Sequence, residues 1–484
     1  MYFDRKDFSN EKLVALYRSI LLPRMIEEKM LVLLRQGRIS KWFSGIGQEA
    51  IAVGATMAMD PEEWILPLHR NLGVFTSRQM PLSKLFLQWQ GSPAGYSKGR
   101  ERSFHFGSRE HAICGMISHL GPQLGIADGV ALAYKLQQKN RAALVFSGDG
   151  GTSEGDFHEA LNVASVWDLP VIFLIENNGY GLSTPVSEQY RCESLVYKAE
   201  GYGMEGVRID GNNILTVHDT LRGIREYCIK YQRPYLVECM TFRMRGHEEA
   251  SGVKYVPTEL LEDWGKKDPV TNYETWLREE KVMSGETLQT IQEEIRQYIE
   301  SELSGLLDPV NIIPDTETEV EDVYAPAPAA ASVLSEDEAE GAPEKRFVGA
   351  ISEGLDLSMA RHDNLILMGQ DIAEYGGAFK ITEGLVHRYG RHRVRNTPLC
   401  ESAIVGCALG LSLEGYKSVM EMQFADFVTA GFNQIVNNLA KIHYRWGQAA
   451  DVVIRMPTGA GVGAGPFHSQ SNEAWFVHTP GLKV

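Results

Sequence analysis

Between two short apolar runs, ALVFS (143 to 147) and VIFLI (171 to 175), the chain carries GDGGTSEGDFHEALNVASVWDLP, and after the second run it reaches ENNGYG. Runs of this length bounded by glycine and proline read as buried strands. Ala160, Leu161, Ala164 and Trp167 recur at helical spacing between them. Ser153 with Asp156 three residues later marks the expected helix start, and Asp168-Leu169-Pro170 its end. Strand, crossover helix and strand must pair in parallel, which opens both strand ends onto one edge. Asp149 and Asn178 can therefore converge although 26 residues (151 to 176) separate Gly150 from Asn177. Oxygen ligands beside glycine amides suit a hard cation that carries a diphosphate. A bare GDG is also simple turn chemistry; the paired asparagines at this spacing, with strands on both sides, carry the sharper reading.

At 484 residues the chain is long enough for two or more domains. Its formal net charge of -16 argues against nucleic-acid binding. The charge is unevenly spread: residues 315 to 344 hold ten acids and no Lys or Arg. The core of that segment, VEDVYAPAPAAASVLSEDEAEGAPEK, is rich in Ala, Pro and acid and reads as a disordered linker, 315–345. It separates a domain over 1–314, with a charged helical stretch from about 257 to 307, from a second over 346–484. Both alternate strand-like runs with helical patterns: YLVECMTF joins the first set, and NLILMGQD, KSVMEMQF and DVVIRMP form the second, with FVTAGFNQIVNNLAKIHYR as a helix. The expected class is α/β, two doubly wound domains. Six scattered cysteines without a CxxC pair fit a reducing, cytoplasmic setting. The opening MYFDRKDFSNEKLVALYRSI reads as an amphipathic helix, and no apolar run reaches membrane length. GAGVGAG lacks a following GK[ST] and reads as a flexible active-site loop.

GDG followed by NN resembles the thiamine-diphosphate motif, and more of the chain agrees with it. GIGQEA (45 to 50), LHRNLG (68 to 73), SHLGPQLGIADGVALA (118 to 133), TSEGDFHEALN, NNGYGLSTP and RMRGH (243 to 247) resemble the α subunit of 2-oxo acid dehydrogenase decarboxylating components. GQDIAEYGGAFKITEGL, RVRNTPLCESAIVGCALG, MEMQFADF and PTGAGVGAGPFHSQSNEAWFVHTPGLKV resemble the β subunit. The chain thus resembles an α subunit fused to an N-terminal portion of a β subunit. Family β subunits continue into a further α/β domain after HTPGLKV, where this chain stops at Val484. The serine-rich regulatory loop of mammalian relatives is replaced by EEASGVKYVP after RMRGH.

The resemblance implies that Asp149, Asn178 and the Tyr180 carbonyl bind Mg²⁺, and that Gly150, Gly151 and Arg70 hold the diphosphate of thiamine diphosphate. Leu120 corresponds to the apolar residue that presses the cofactor into its bent shape. Glu401 corresponds to the carboxylate facing the pyrimidine ring, and Phe424 to an aromatic beside it. His247 and His468 match histidines that orient substrate and move protons, with His119 as a third candidate. Taken alone, Arg70 could be a surface ion pair and Leu120 ordinary core. The implied activity is oxidative decarboxylation of a 2-oxo acid, branched-chain or pyruvate type, with reductive acylation of a lipoyl group on an acyltransferase core. The implied assembly is a homodimer or higher oligomer. An acetoin dehydrogenase-type enzyme, or an incomplete non-catalytic subunit, stands as the alternative.

Overall fold

Two parallel sheets organise the chain. The computed structural model describes residues 1–308, 313, 315–326 and 343–484. They fall into two units, Met1–Pro314 and Asp315–Val484.

The first unit is built on a five-stranded sheet in the order β1 (Ile65–Leu66), β2 (Ala143–Gly148), β3 (Val171–Asn177), β7 (Tyr235–Met240), β6 (Glu205–Asp210). A two-residue ribbon, β4 (Tyr180–Gly181) with β5 (Thr184–Pro185), stands apart from it. Every residue of β2 and β3 is buried, as expected when helices cover both faces of a parallel sheet. Phe146, Ile172 and Leu174 join a core that takes in Phe75, Phe86, Trp89, Phe104 and Phe106. Burial of each such ring contributes about 2–3 kcal/mol. The pairing runs Ala143↔Val171 through Gly148↔Glu176, so Asp149 leaves the sheet beside Asn177. The N-terminal helix Asn10–Arg35 is capped by Ser9, which accepts from the Lys12 N–H, and it buries Leu13, Leu16, Tyr17 and Ile20.

The crossover helix departs from expectation at its start. Gly150–Ser153 forms a 3₁₀ turn, and the α-helix Gly155–Val166 begins only after it, with no side-chain cap bond. Ser153 donates its Oγ proton to the Gln189 carbonyl at 3.2 Å instead of capping. Adjacent glycines let the backbone coil tightly before a helix of ordinary pitch can begin. The charged stretch after 257 is likewise three helices, Thr258–Gly265, Pro269–Glu279 and Gly285–Leu303, rather than one.

The second unit holds a four-stranded parallel sheet ordered β11 (Val452–Arg455), β10 (Lys417–Glu421), β8 (Leu365–Gly369), β9 (Val394–Asn396). The helix Glu401–Leu413 is buried from Ser402 to Leu413. The long helical pattern after Phe427 is divided into Val428–Asn433, a π-helical turn Gln434–Leu439, and Ile442–Trp446. The expectation of disorder from Asp315 onward needs correction. Thr316–Glu321 is a helix capped by Asp315, with Glu317 and Glu319 in its first turn, where the helix dipole favours acids. Glu319 accepts from the Tyr444 hydroxyl at 2.8 Å, and Asp322 lies 3.5 Å from His443. The Ala/Pro-rich core of the expected linker, 327–342, lies outside the described residues. Among the described residues no helix is long and apolar enough to cross a membrane.

Candidate functional site

In the first unit the ends of β2 and β3 bring most of the expected residues together. Asp149 is 1% exposed, and its Oδ2 has no hydrogen-bond partner. Burial pushes its carboxyl up to about 6, against the pull of Arg70 and of backbone N–H groups. Asn178 is buried and accepts at Oδ1 from the Tyr180 N–H at 3.2 Å. Its neighbour Asn177 is committed elsewhere, donating to the Tyr190 hydroxyl at 2.9 Å and to Glu238 at 2.7 Å. The glycines between leave no room for side chains. A Cβ on Gly150 would stand 3.0 Å from the Gly181 Cα, one on Gly151 2.6 Å from the Ser147 Oγ, and one on Gly148 3.2 Å from the Arg70 Nη2. Leu120 is partly buried against the core and lies 3.8 Å from where a Gly151 Cβ would be.

Arg70 is not a surface ion pair: it is 7% exposed, and its Nε donates to Glu176 at 2.6 Å. Glu176, fully buried, also accepts from Asn71 at 2.6 Å and from Gln48 at 3.4 Å. This network aims the guanidinium and leaves the Arg70 Nη2 buried without a partner. Beside it the ring of His247 packs 5.6 Å from Phe43 and 5.4 Å from His69, which in turn stacks with His105 at 6.2 Å. Burial, then the charges of Arg243 and Arg70, holds His247 down to about 4 and His69 well below the usual imidazole range. Both rings are neutral at pH 7. His119 stands apart, half-exposed, with Nε2 3.8 Å from Glu154.

In the second unit the strand ends again carry the expected groups. Gln370, just past β8, donates to the Glu401 Oε1 at 2.9 Å at the start of the helix Glu401–Leu413. Phe424, just past β10, stacks on His468 at 4.3 Å with an interplanar angle of 20°. The His468 Nδ1 lies 3.1 Å from Asp426. Glu176, Asn71, His69, Gln370 and Asp426 had not been singled out. All five lie within two residues of assigned positions in LHRNLG, ENNG and MEMQFADF or within GQD, but the partners that reveal Glu176, Gln370 and Asp426 are distant in sequence.

A buried acid and a buried arginine, each with one polar atom left without a partner, and a glycine cradle at one parallel edge define an α/β domain shaped for an oxyanion and a cation. Residues 17–305 match the family described as Dehydrogenase E1 component, and 345–484 match Transketolase, pyrimidine binding domain. The chain belongs to the dehydrogenase E1 component family. It is 37% identical over 294 residues to 2-oxoisovalerate dehydrogenase subunit alpha of Bacillus subtilis (strain 168), a match covering 60% of this chain and 89% of that protein. It is 37% identical over 274 residues to the mitochondrial subunit alpha 1 of Arabidopsis thaliana, covering 56% and 58%. The mitochondrial subunit alpha of Homo sapiens is 33% identical over 270 residues, covering 55% and 60%. The match thus spans a little under two thirds of the Arabidopsis and human relatives.

Proposed function

We propose that this chain is a thiamine-diphosphate- and Mg²⁺-dependent decarboxylating component of a 2-oxo acid dehydrogenase, taking branched-chain or pyruvate-type 2-oxo acids and passing the acyl fragment to a lipoyl group on an acyltransferase core. The observation that carries this is the convergence of Asp149 and Asn178 at one sheet edge, with the Asp149 Oδ2 and the Arg70 Nη2 buried and unpartnered. These groups fit a cation and a diphosphate, because each keeps one buried polar atom that such a ligand would satisfy. Asp149, Asn178 and the Tyr180 carbonyl would hold Mg²⁺; Gly150, Gly151 and Arg70 would hold the diphosphate. When bound, thiamine diphosphate supplies a nucleophilic carbon and an electron sink.

The protein's own groups do the rest. Glu176 orients Arg70 through its Nε, leaving the outer guanidinium nitrogen for phosphate. Leu120 offers an apolar shoulder beside Gly151. Gln370 fixes one oxygen of Glu401, so the other is left to exchange a proton with the pyrimidine ring. Phe424 shapes that ring's surroundings. His247 and His468 would orient substrate and move protons, and Asp426 holds the Nδ1 side of the His468 ring. The domain plan proposed is an α-like part over 1–314, an acidic tether, and a β-like part from 346, in a homodimer or higher oligomer in the cytoplasm.

Calorimetry of the full chain and of Asp149→Ala with thiamine diphosphate and Mg²⁺ tests the reading, together with CO₂ release from 2-oxoisovalerate. The variant should lose Mg²⁺-dependent binding. Undiminished binding removes Asp149 from the metal site, and absence of cofactor binding by the parent chain overturns the whole reading.

A further inference from the structure

Arg243 lies three residues past β7 and is 7% exposed. It has neutral partners only: its Nη2 donates to the carbonyls of Ser44 at 3.3 Å and His247 at 2.6 Å. The carboxylates of Glu176 and Glu27 act on it only from a distance. Glu176 is already engaged by Arg70 and Asn71, and Glu27 by Ser44, Gly45 and Trp42. The Nε of Arg243 is buried and donates to nothing, as is the Nη2 of Arg70. A guanidinium kept from water beside a second cation and without an adjacent acid is costly. Structures retain such a group where an anion completes it. Arg243 also lines a pocket with Asn178, Tyr180, Phe242, Gly246 and His247, so the residue that carries the unsatisfied N–H borders the same concavity as residues expected to meet ligand.

We propose that Arg243 is a second anion-recognition residue of this site, its guanidinium held ready for an oxyanion that enters the pocket lined by Asn178, Tyr180 and His247. The inference rests on the function proposed above, which brings two oxyanions there: the terminal phosphate of the cofactor and the carboxylate of the 2-oxo acid. Both offer a charged oxygen to the unsatisfied Nε–H, a charge-assisted hydrogen bond. A residue that only braced Ser44 against His247 would have no preference for charged ligands.

Two preferences of the full-length chain are measured by calorimetry, with Mg²⁺ present. One is thiamine diphosphate over thiamine monophosphate. The other is 2-oxoisovalerate over its uncharged methyl ester, on chain loaded with the unreactive thiazolone analogue of the cofactor so that no turnover intervenes. Arg243→Gln should narrow one preference by at least about tenfold, the scale of one hydrogen bond to a charged partner. It should leave the monophosphate or the ester, respectively, near its parent affinity, and Arg243→Lys should restore part of the loss. Narrowing of the first preference assigns the phosphate, and of the second the carboxylate. Unchanged preferences, or proportional weakening of all four ligands, overturn the inference. If Arg243→Gln does not fold, the same four titrations on Arg243→Lys decide it by the same criterion. A parent chain that binds neither cofactor nor 2-oxo acid sinks the proposed function and this inference together; a parent that binds both, with unchanged preferences in the variant, sinks this inference alone.

Discussion

The Glu401 carboxyl is tied by one oxygen to Gln370, an arrangement that fixes its direction without supplying a counter-charge. If its work is proton exchange with the pyrimidine ring and not contact with the diphosphate, Glu401→Gln should keep most cofactor affinity and lose turnover by roughly a hundredfold or more, the scale of general acid/base loss. Near-normal CO₂ release by the variant would end the assignment. How far such residues can be read from sequence depends on what fixes them. Asp149 and Asn178 were legible because a strand's end dictates where the next residue emerges. Arg70 was visible as a residue type in LHRNLG, but its burial was not. That burial depends on Glu176, 106 residues away, and a partner at such a distance leaves no trace in local pattern. Arg243, within RMRGH, was illegible for the same reason, since only its surroundings show that no acid pairs with it.

The GDGG turn is the element on which the proposed site would depend, and its steric limits can be measured. A Cβ on Gly151 would lie 2.6 Å from the Ser147 Oγ, well inside van der Waals contact, so the Ser147 hydroxyl or the turn must move if a methyl group is added. Gly151→Ala should weaken thiamine diphosphate binding by about tenfold or more, in keeping with an overpacking strain of 1–3 kcal/mol. Ser147→Ala in the same chain should recover part of that loss. Additive losses in the double variant would show that the clash is not with Ser147. Elements were legible in sequence where apolar runs were continuous, as in β2, β3, β8 and β10. Their starts were less so. Ser153 has the chemistry of a helix cap, yet the preceding glycines coil into a 3₁₀ turn and its hydroxyl goes to Gln189. The acids from Asp315 to Asp322 showed composition only. That Glu319 and Asp322 would find Tyr444 and His443 is a matter of tertiary placement.

Across the whole molecule, buried titratable groups set opposing responses to pH. His218, 5% exposed and edge-on to Phe8, is held down to about 4 by burial and then by Lys12 and Arg222. An imidazole whose folded pKa lies below its unfolded value near 6.5 favours the folded state fully above 6.5, and that contribution is lost as pH falls toward 4. Burial raises Glu27 to about 7 and Asp149 to about 6; their contributions are present at low pH and fade as pH rises through those values. His218→Gln should therefore reduce the loss of stability between pH 6.5 and 4.5 by about 1–2 kcal/mol relative to the parent. Urea unfolding at the two pH values measures this, and equal losses in both chains would contradict it. The parallel register of β2 with β3 has a further meaning for how chains of this architecture can diverge. The interval between Asp149 and Asn178 is the contour of one crossover, whereas the gap the two side chains must bridge is set by neighbouring strands about 4.8 Å apart. Turns added to or removed from the crossover helix change the first quantity and leave the second alone. Substitution tolerance and length tolerance are therefore separate: the turn is tight against a methyl group at Gly151, while the strand spacing does not depend on how far the chain travels before it returns.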